Sequence, residues 1–239
     1  MFYILYYLSG IILIPGIILS VICQVRVNST FKKYKKVNAK SGWVAREMSE
    51  MLLEKYDCEH VVVQPIGGNL TDNYNPKDQT LNLSQDVYNS SSIASLGVSA
   101  HEVGHAIQDA NNYKPLKFRA FMVPVVNIGS YLALPLAVIG AILTWISSLS
   151  QFGEFLLLLG IIAYSLTAFF ALITLPVEIN ASNRAKKMLA ETGVLDEKEL
   201  KGASKVLNAA AWTYVASLAI SLLYLLRFII IISSLKRND

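Results

Sequence analysis

Five consecutive residues, His101-Glu102-Val103-Gly104-His105, combine the side chains that metal-assisted hydrolysis needs. On a helix, residues i and i+4 share a face, so His101 and His105 can turn a ring nitrogen to one Zn²⁺. Glu102 falls beside them, close enough to take a proton from an attacking water. A catalytic zinc takes three protein ligands and keeps one position open. There it polarises a carbonyl and lowers the pKa of water toward about 7. The competing explanation is a pair of surface histidines on an amphipathic helix. The chain has only three histidines, and two of them bracket a glutamate at this spacing, which favours the metal.

The surrounding residues predict the helix itself. Ser90, Ser91 and Ser92 offer N-caps, and Ile93, Leu96, Ala100, Val103 and Ile107 form an apolar stripe. Ala100, Gly104 and Ala106 are small enough to let another element come close. Gln108-Asp109-Ala110-Asn111-Asn112 follows at once, so this helix does not lie in lipid. That, with the lack of a Leu-Asp-Gly ligand signature, separates it from intramembrane site-2-type proteases.

A third ligand is needed. His60 is the remaining histidine and reads mainly as a surface or partly buried residue beside a short strand. Glu178 is the stronger candidate. Ala181, Ser182 and Ala185 follow it at i+3, i+4 and i+7, a small-residue stripe that lets its helix lie against the histidine helix. Otherwise Glu178 is an interfacial acid that ends a membrane span. Asn180 and Arg184 share its helix and could orient a ligand or bind a substrate carbonyl, or be a turn-forming amide and a surface charge. Tyr74, Tyr88 and Tyr113 are candidate oxyanion donors. The Leu81–Leu83 strand is either a sheet edge for an extended peptide or an ordinary core strand.

The elements that must position these residues follow from composition. Of 239 residues, 54% are hydrophobic and 16% charged, which is too apolar for a soluble domain and too charged for a pure membrane bundle. Apolar runs long enough to span a bilayer occur over Phe2 to Cys23, Phe121 to Ile146, Phe155 to Leu175 and Ala209 to Ile232. The last contains Arg227, near enough to its end to snorkel. The first has no basic n-region and no small-x-small cleavage site, so it reads as a retained anchor. The net charge of +4 comes without a dense basic-aromatic stripe, which argues against nucleic acid. Cys23 and Cys58 make no disulfide framework and fit a reducing compartment.

Lysine and arginine placement sets the expected orientation. Twelve lie between Gln24 and Ala120, six lie between spans three and four, and the Ser147 to Gly153 link has none. Four spans put both basic segments on one side, expected to be cytoplasmic. Lys236 and Arg237 fall on the other side, against the rule.

The expected architecture is therefore a mainly α membrane protein: four transmembrane helices with a small α/β zinc metallopeptidase domain. Its segments are a first transmembrane helix over 1–23, a catalytic domain over 24–120, helices two and three over 121–176, a helical segment carrying Glu178 over 177–208, and the fourth helix with its tail over 209–239. Within the catalytic domain, helical spacing over Val44 to Tyr56, a strand at Val61 to Pro65, turns at Gly67-Gly68 and Asn73 to Pro76, and a strand at Thr80 to Ser84 are predicted. Pro176 is expected to end or kink the third span. A helix then stops near Gly193, and Asp196-x-x-Glu199 opens another that runs into span four.

Beyond this, several stretches carry a resemblance. They are Ser29 to Tyr34, Val87-Tyr88-Asn89 with Ser92-Ile93-Ala94, Leu96 to Gln108, Leu175 to Ser182 and Lys205 to Ala211. In them the chain resembles, over almost its whole length, the YugP-like membrane zinc metallopeptidases. The resemblance implies a bacterial-type multi-pass enzyme of the gluzincin class, related to HtpX and the CAAX prenyl proteases. In those, two histidines of the motif and a glutamate on a later helix bind zinc. By that likeness His101, His105 and Glu178 are the zinc ligands and Glu102 is the general base. The HtpX-like Glu-x-x-Ala-Asp pattern has a carboxylate where Ser182 stands here. Relatives are expected to carry His and Asp in the Asn73 to Pro76 turn, so no catalytic role carries over to its asparagines. The implied function is hydrolysis of peptide bonds in protein or peptide substrates, membrane proteins among them, within the cell membrane. Two rivals remain: a non-catalytic scaffold with a structural metal, which needs no Glu102, and a transport or signalling protein, which calls for charges buried in the spans.

Overall fold

Among the described residues, four helical segments are long and apolar enough to cross a bilayer: Tyr7–Tyr34, Lys114–Thr144, Ser147–Glu191 and Glu197–Ser234. The computed structural model describes residues 2–235, with side chains over 7–234. Lys236 and Arg237, the charges that oppose the orientation rule, lie outside the described residues. In order, the elements are α1 (Phe2–Ile11), α2 (Ile14–Tyr34), α3 (Ala45–Lys55), β1 (Val62–Ile66), β2 (Asn73–Asn75), β3 (Thr80–Ser84), α4 (Gln85–Tyr88), α5 (Ile93–Ala110), α6 (Lys114–Thr144), a 3₁₀ turn (Ser147–Leu149), α7 (Ser150–Glu191) and α8 (Glu197–Leu235). This is the expected class, a mainly helical chain with four apolar spans and a small mixed sheet.

Two spans differ in detail from the expectation. The first is not one helix over Phe2 to Cys23, because α1 stops at Ile11 and α2 starts at Ile14. Pro15 sits in the first turn of α2, where its missing N–H costs nothing, but its ring opposes the carbonyl four residues back. The helix of the third is not broken at Pro176. Helix α7 runs through it to Glu191 and stops where Gly193 takes a positive φ of 67°.

The chain falls into two compact units. One comprises residues 2–22, 118–175 and 214–235. Within it α6 and α7 pack through small residues: a Cβ on Gly153 would lie 2.7 Å from the Gly140 carbonyl oxygen. Leu157, Ala137 and Ile232 form a buried cluster. Tyr131, Leu134 and Trp145 are exposed, which suits a lipid-facing surface.

The other unit comprises Cys23–Lys117 and Pro176–Thr213. Its sheet has the order β1-β3-β2, with β3 parallel to β1 and antiparallel to β2. Strand β3 is therefore central, and Leu81 and Leu83 are wholly buried in it, so the Leu81–Leu83 strand cannot serve as an edge. The edges are β1 and β2. Asn73-Tyr74-Asn75, expected as part of a turn, is β2, and the turn occupies residues 76–79 instead. Asparagine is a poor strand former, but Asn82 Nδ2 donates to Asn73 Oδ1 at 3.0 Å and stitches β2 to β3. Leu52, Leu53, Leu96 and Val103 close the core beneath the sheet. Cys23 and Cys58 are both buried and unpaired.

Helix α8 opens with the predicted reciprocal cap. The Asp196 N–H donates to Glu199 Oε2 at 2.9 Å, and the Glu199 N–H donates to Asp196 Oδ1 at 2.8 Å. Glu199 Oε1 also accepts the Lys40 N–H at 2.9 Å, tying the α2–α3 connection to α8. Removing this carboxylate leaves two backbone donors without their partner, each costing about 1–3 kcal/mol where water cannot replace it. Glu199→Ala should therefore lower the thermal unfolding midpoint in detergent, and Glu199→Gln, with one accepting oxygen, should fall between it and the wild type.

Candidate metal centre

Helices α5 and α7 approach closely enough for backbone to meet backbone. A Cβ on Gly104 would lie 2.8 Å from the Ala181 carbonyl oxygen, closer than such atoms tolerate. Ala181 and Ala185, the small stripe of α7, are fully buried against this contact. One turn before Ala181, Glu178 meets the histidine face of α5. The side chain of Ser92 caps α5 by accepting the Ser95 N–H at 3.2 Å, which fixes the start of the helix two turns before His101.

His101 Nε2 lies 3.2 Å, and His105 Nε2 3.5 Å, from the same oxygen of Glu178. The three ligand atoms lie within 4.8 Å of one another. The two rings meet edge to face, with centroids 4.8 Å apart. These distances allow a test of fit. Two ligand atoms each about 2.0–2.2 Å from a tetrahedral ion stand roughly 3.3–3.5 Å apart, close to the two separations from Glu178, and the whole group keeps within 4.8 Å. Two imidazoles and one carboxylate are also the donors that a catalytic zinc takes, whereas calcium and magnesium prefer all-oxygen sites. The residues fit zinc, and His101, His105 and Glu178 would hold it as three ligands.

Glu102 stands beside this group. Its Oε2 accepts the backbone N–H of Tyr74 at 3.0 Å, and the residue is buried. Burial pushes its carboxyl above the usual range, and the two imidazoles pull the other way without cancelling the effect. For His105, burial disfavours the cation, but the Glu178 and Glu102 carboxylates outweigh it and raise its pKa. The Tyr74 hydroxyl donates to Asp109 Oδ2 at 3.0 Å, so it is committed there and its pKa is raised by burial and by that bond.

A second layer holds the histidines. Ser182 Oγ lies 3.1 Å from His101 Nδ1. Gln108 Oε1 lies 3.0 Å from His105 Nδ1. Gln108 Nε2 donates to the Val177 carbonyl and to Asn180 Oδ1, both at 2.9 Å, and Arg184 Nε donates to the same Asn180 oxygen at 2.8 Å.

The structure thus brings together His101, Glu102, His105 and Glu178, with Tyr74 joined through its N–H. Asn180 and Arg184 reach the group through Gln108. His60 is exposed in the turn before β1, away from it. Tyr88 packs beneath the Arg46 guanidinium, 5.9 Å from its ring centroid, and Tyr113 follows the end of α5. Gln108 and Asp109 were missed as site residues because they read as the polar end of a helix. The available signal was spacing, since Gln108 lies three residues after His105 on the same face.

The backbone contact at Gly104 should be intolerant of a side chain. Gly104→Ala forces α5 and α7 apart, at a cost of about 1–3 kcal/mol for overpacking. A lower unfolding midpoint together with weaker metal uptake is expected, and a variant that takes up metal as well as the wild type would show that the close approach does not set the cluster.

Two comparisons with known proteins give a match. The family described as "Putative neutral zinc metallopeptidase" matches residues 9–233. The curated "Putative membrane protease YugP" of Bacillus subtilis (strain 168) is 44% identical over 213 residues, covering 89% of this chain and 91% of that protein. No solved structure matches.

Proposed function

Because this chain belongs to the family described as "Putative neutral zinc metallopeptidase", we propose that it is a membrane-embedded zinc metalloendopeptidase that hydrolyses peptide bonds of protein substrates. The observation that carries this is the convergence of His101, His105 and Glu178 ligand atoms within 4.8 Å, with the Glu102 carboxylate alongside. His101, His105 and Glu178 hold the ion. When bound, zinc acts as a Lewis acid toward the scissile carbonyl and acidifies the attacking water.

The protein's own groups do the rest. Glu102 takes the proton of the attacking water and returns it to the leaving amine. The Tyr74 N–H holds one oxygen of Glu102, leaving the other free for that proton. Tyr74 lies on β2, one of the two edge strands of the sheet, so an extended peptide has a strand beside the base on which to align. This gives β2 the part that the sequence had offered to Leu81–Leu83. The Asn180 oxygen is taken by Gln108 and Arg184, so both residues bear on the ligands through Gln108.

The apolar spans support substrates that are themselves membrane-bound or membrane-associated, with quality control as a purpose. The basic segments between Gln24 and Ala120 and between spans three and four support a cytoplasmic location for the site. A purely structural metal would leave no use for a buried carboxylate at position 102.

Zinc content and cleavage of casein or a membrane protein, measured together on purified protein, test this. The wild type should carry zinc, and His101→Ala, His105→Ala and Glu178→Ala should lose most of it along with cleavage. Glu102→Gln should keep zinc and lose activity by about 10²–10⁴-fold, the usual worth of a general base. Full proteolysis by zinc-loaded Glu102→Gln would sink the base assignment, and unchanged zinc in Glu178→Ala would remove Glu178 from the ligand set.

A further inference from the structure

A neutral imidazole binds a metal only through the nitrogen that lacks a proton. Free histidine favours the proton on Nε2, which in His105 is the nitrogen facing Glu178. Which nitrogen carries the proton in a folded protein is set by the hydrogen bond the other one makes. The surroundings of His105 decide this through a chain of one-way groups.

Arg184 has only donors, so the group it meets on Asn180 at 2.8 Å must be the oxygen. That oxygen can only accept, so the group of Gln108 facing it at 2.9 Å must be the amide nitrogen. The Val177 carbonyl, also an acceptor, faces the same nitrogen at 2.9 Å and independently demands the same orientation. Gln108 therefore has its oxygen left for His105, and at 3.0 Å an oxygen acceptor requires a proton on Nδ1. Gln108 is wholly buried, so water cannot relieve a wrong orientation. His101 has no comparable lock. Its Nδ1 partner is the hydroxyl of Ser182, which can rotate to donate or accept.

We propose that Gln108 is a positioning residue that locks His105 in its Nδ1–H tautomer, and that Asn180 and Arg184 lock Gln108 in turn. This rests on zinc being held by His105 Nε2, as inferred above. It assigns Arg184 to the metal centre through two intervening amides.

The test uses the full chain in detergent, metal-free, with ¹⁵N-labelled histidine. The chain has three histidines, so the ring spectrum is simple. The Glu178 carboxylate faces Nε2 in the metal-free protein, so the ring is read in a Glu178→Ala background: with all three rings neutral, His105 should there show the pure Nδ1–H signature, and an Nε2–H or mixed signature overturns the proposal. Gln108→Met and Asn180→Leu should each shift that ring toward a mixture and, with Glu178 in place, weaken zinc binding by about 10–100-fold, as loss of a ligand's supporting partner does. Asn180→Asp keeps an acceptor for both donors, so it should retain the signature and bind zinc within about threefold of the wild type. Unchanged ring signals and zinc affinity in Gln108→Met and Asn180→Leu would overturn the lock, as would Asn180→Asp failing like Asn180→Leu. If the wild type itself bound no zinc, the metal assignment would fall, while the tautomer measurement would still judge the lock.

Discussion

A Cβ at position 104 would lie 2.8 Å from the carbonyl oxygen of Ala181, and the rest of the centre depends on that contact. Helices normally pack with axes about 8–10 Å apart, held off by their side chains. Here glycine on α5 meets alanine on α7, so the helices come close enough for short side chains to bridge them. A glutamate on one helix can then reach two histidines on the other. Gln108 can likewise reach both the backbone and Asn180 of α7. A bulkier residue at either point would lengthen every one of these bonds together.

The same closeness concentrates ionisable groups in a dry place. Glu102, His105 and Glu178 are all buried within one small region. Burying carboxylates is costly unless cations or donors meet them. Hydrogen bonds answer part of that cost: the Tyr74 N–H meets Glu102, and His101 Nε2 meets Glu178. A divalent cation would answer the remainder, because it neutralises both carboxylates at once. The neutral partners of the histidines, a hydroxyl and an amide, fit that balance, since a further carboxylate would leave excess negative charge.

Strand β2 shows why local propensity misleads near such a centre. Asn73-Tyr74-Asn75-Pro76 has the composition of a turn, and taken alone it would be one. Its strand geometry comes from partners distant in sequence: Asn82 across the sheet, and Glu102 and Asp109 on α5. Tyr74 ties the strand to α5 twice, by backbone and by hydroxyl. Polar residues that break a local rule are here the ones that hold the base.

The sequence by itself determined the four apolar spans, the histidine helix with its serine cap, the capping box of α8 and the identity of Glu102 as the acid beside the histidines. Each is a local pattern, set by residue type at short spacing. It also singled out Glu178, through the small residues that follow it. Tertiary structure alone decided the order of strands, the place of β2 at the edge, the hydroxyl of Ser182 behind His101 and the amide chain from Arg184 to His105. Those bonds join residues some 70–80 positions apart, such as Gln108 with Asn180 and Ser182 with His101. They exist only because two helices from distant parts of the chain pack with almost nothing between their backbones, a distance that no local periodicity encodes.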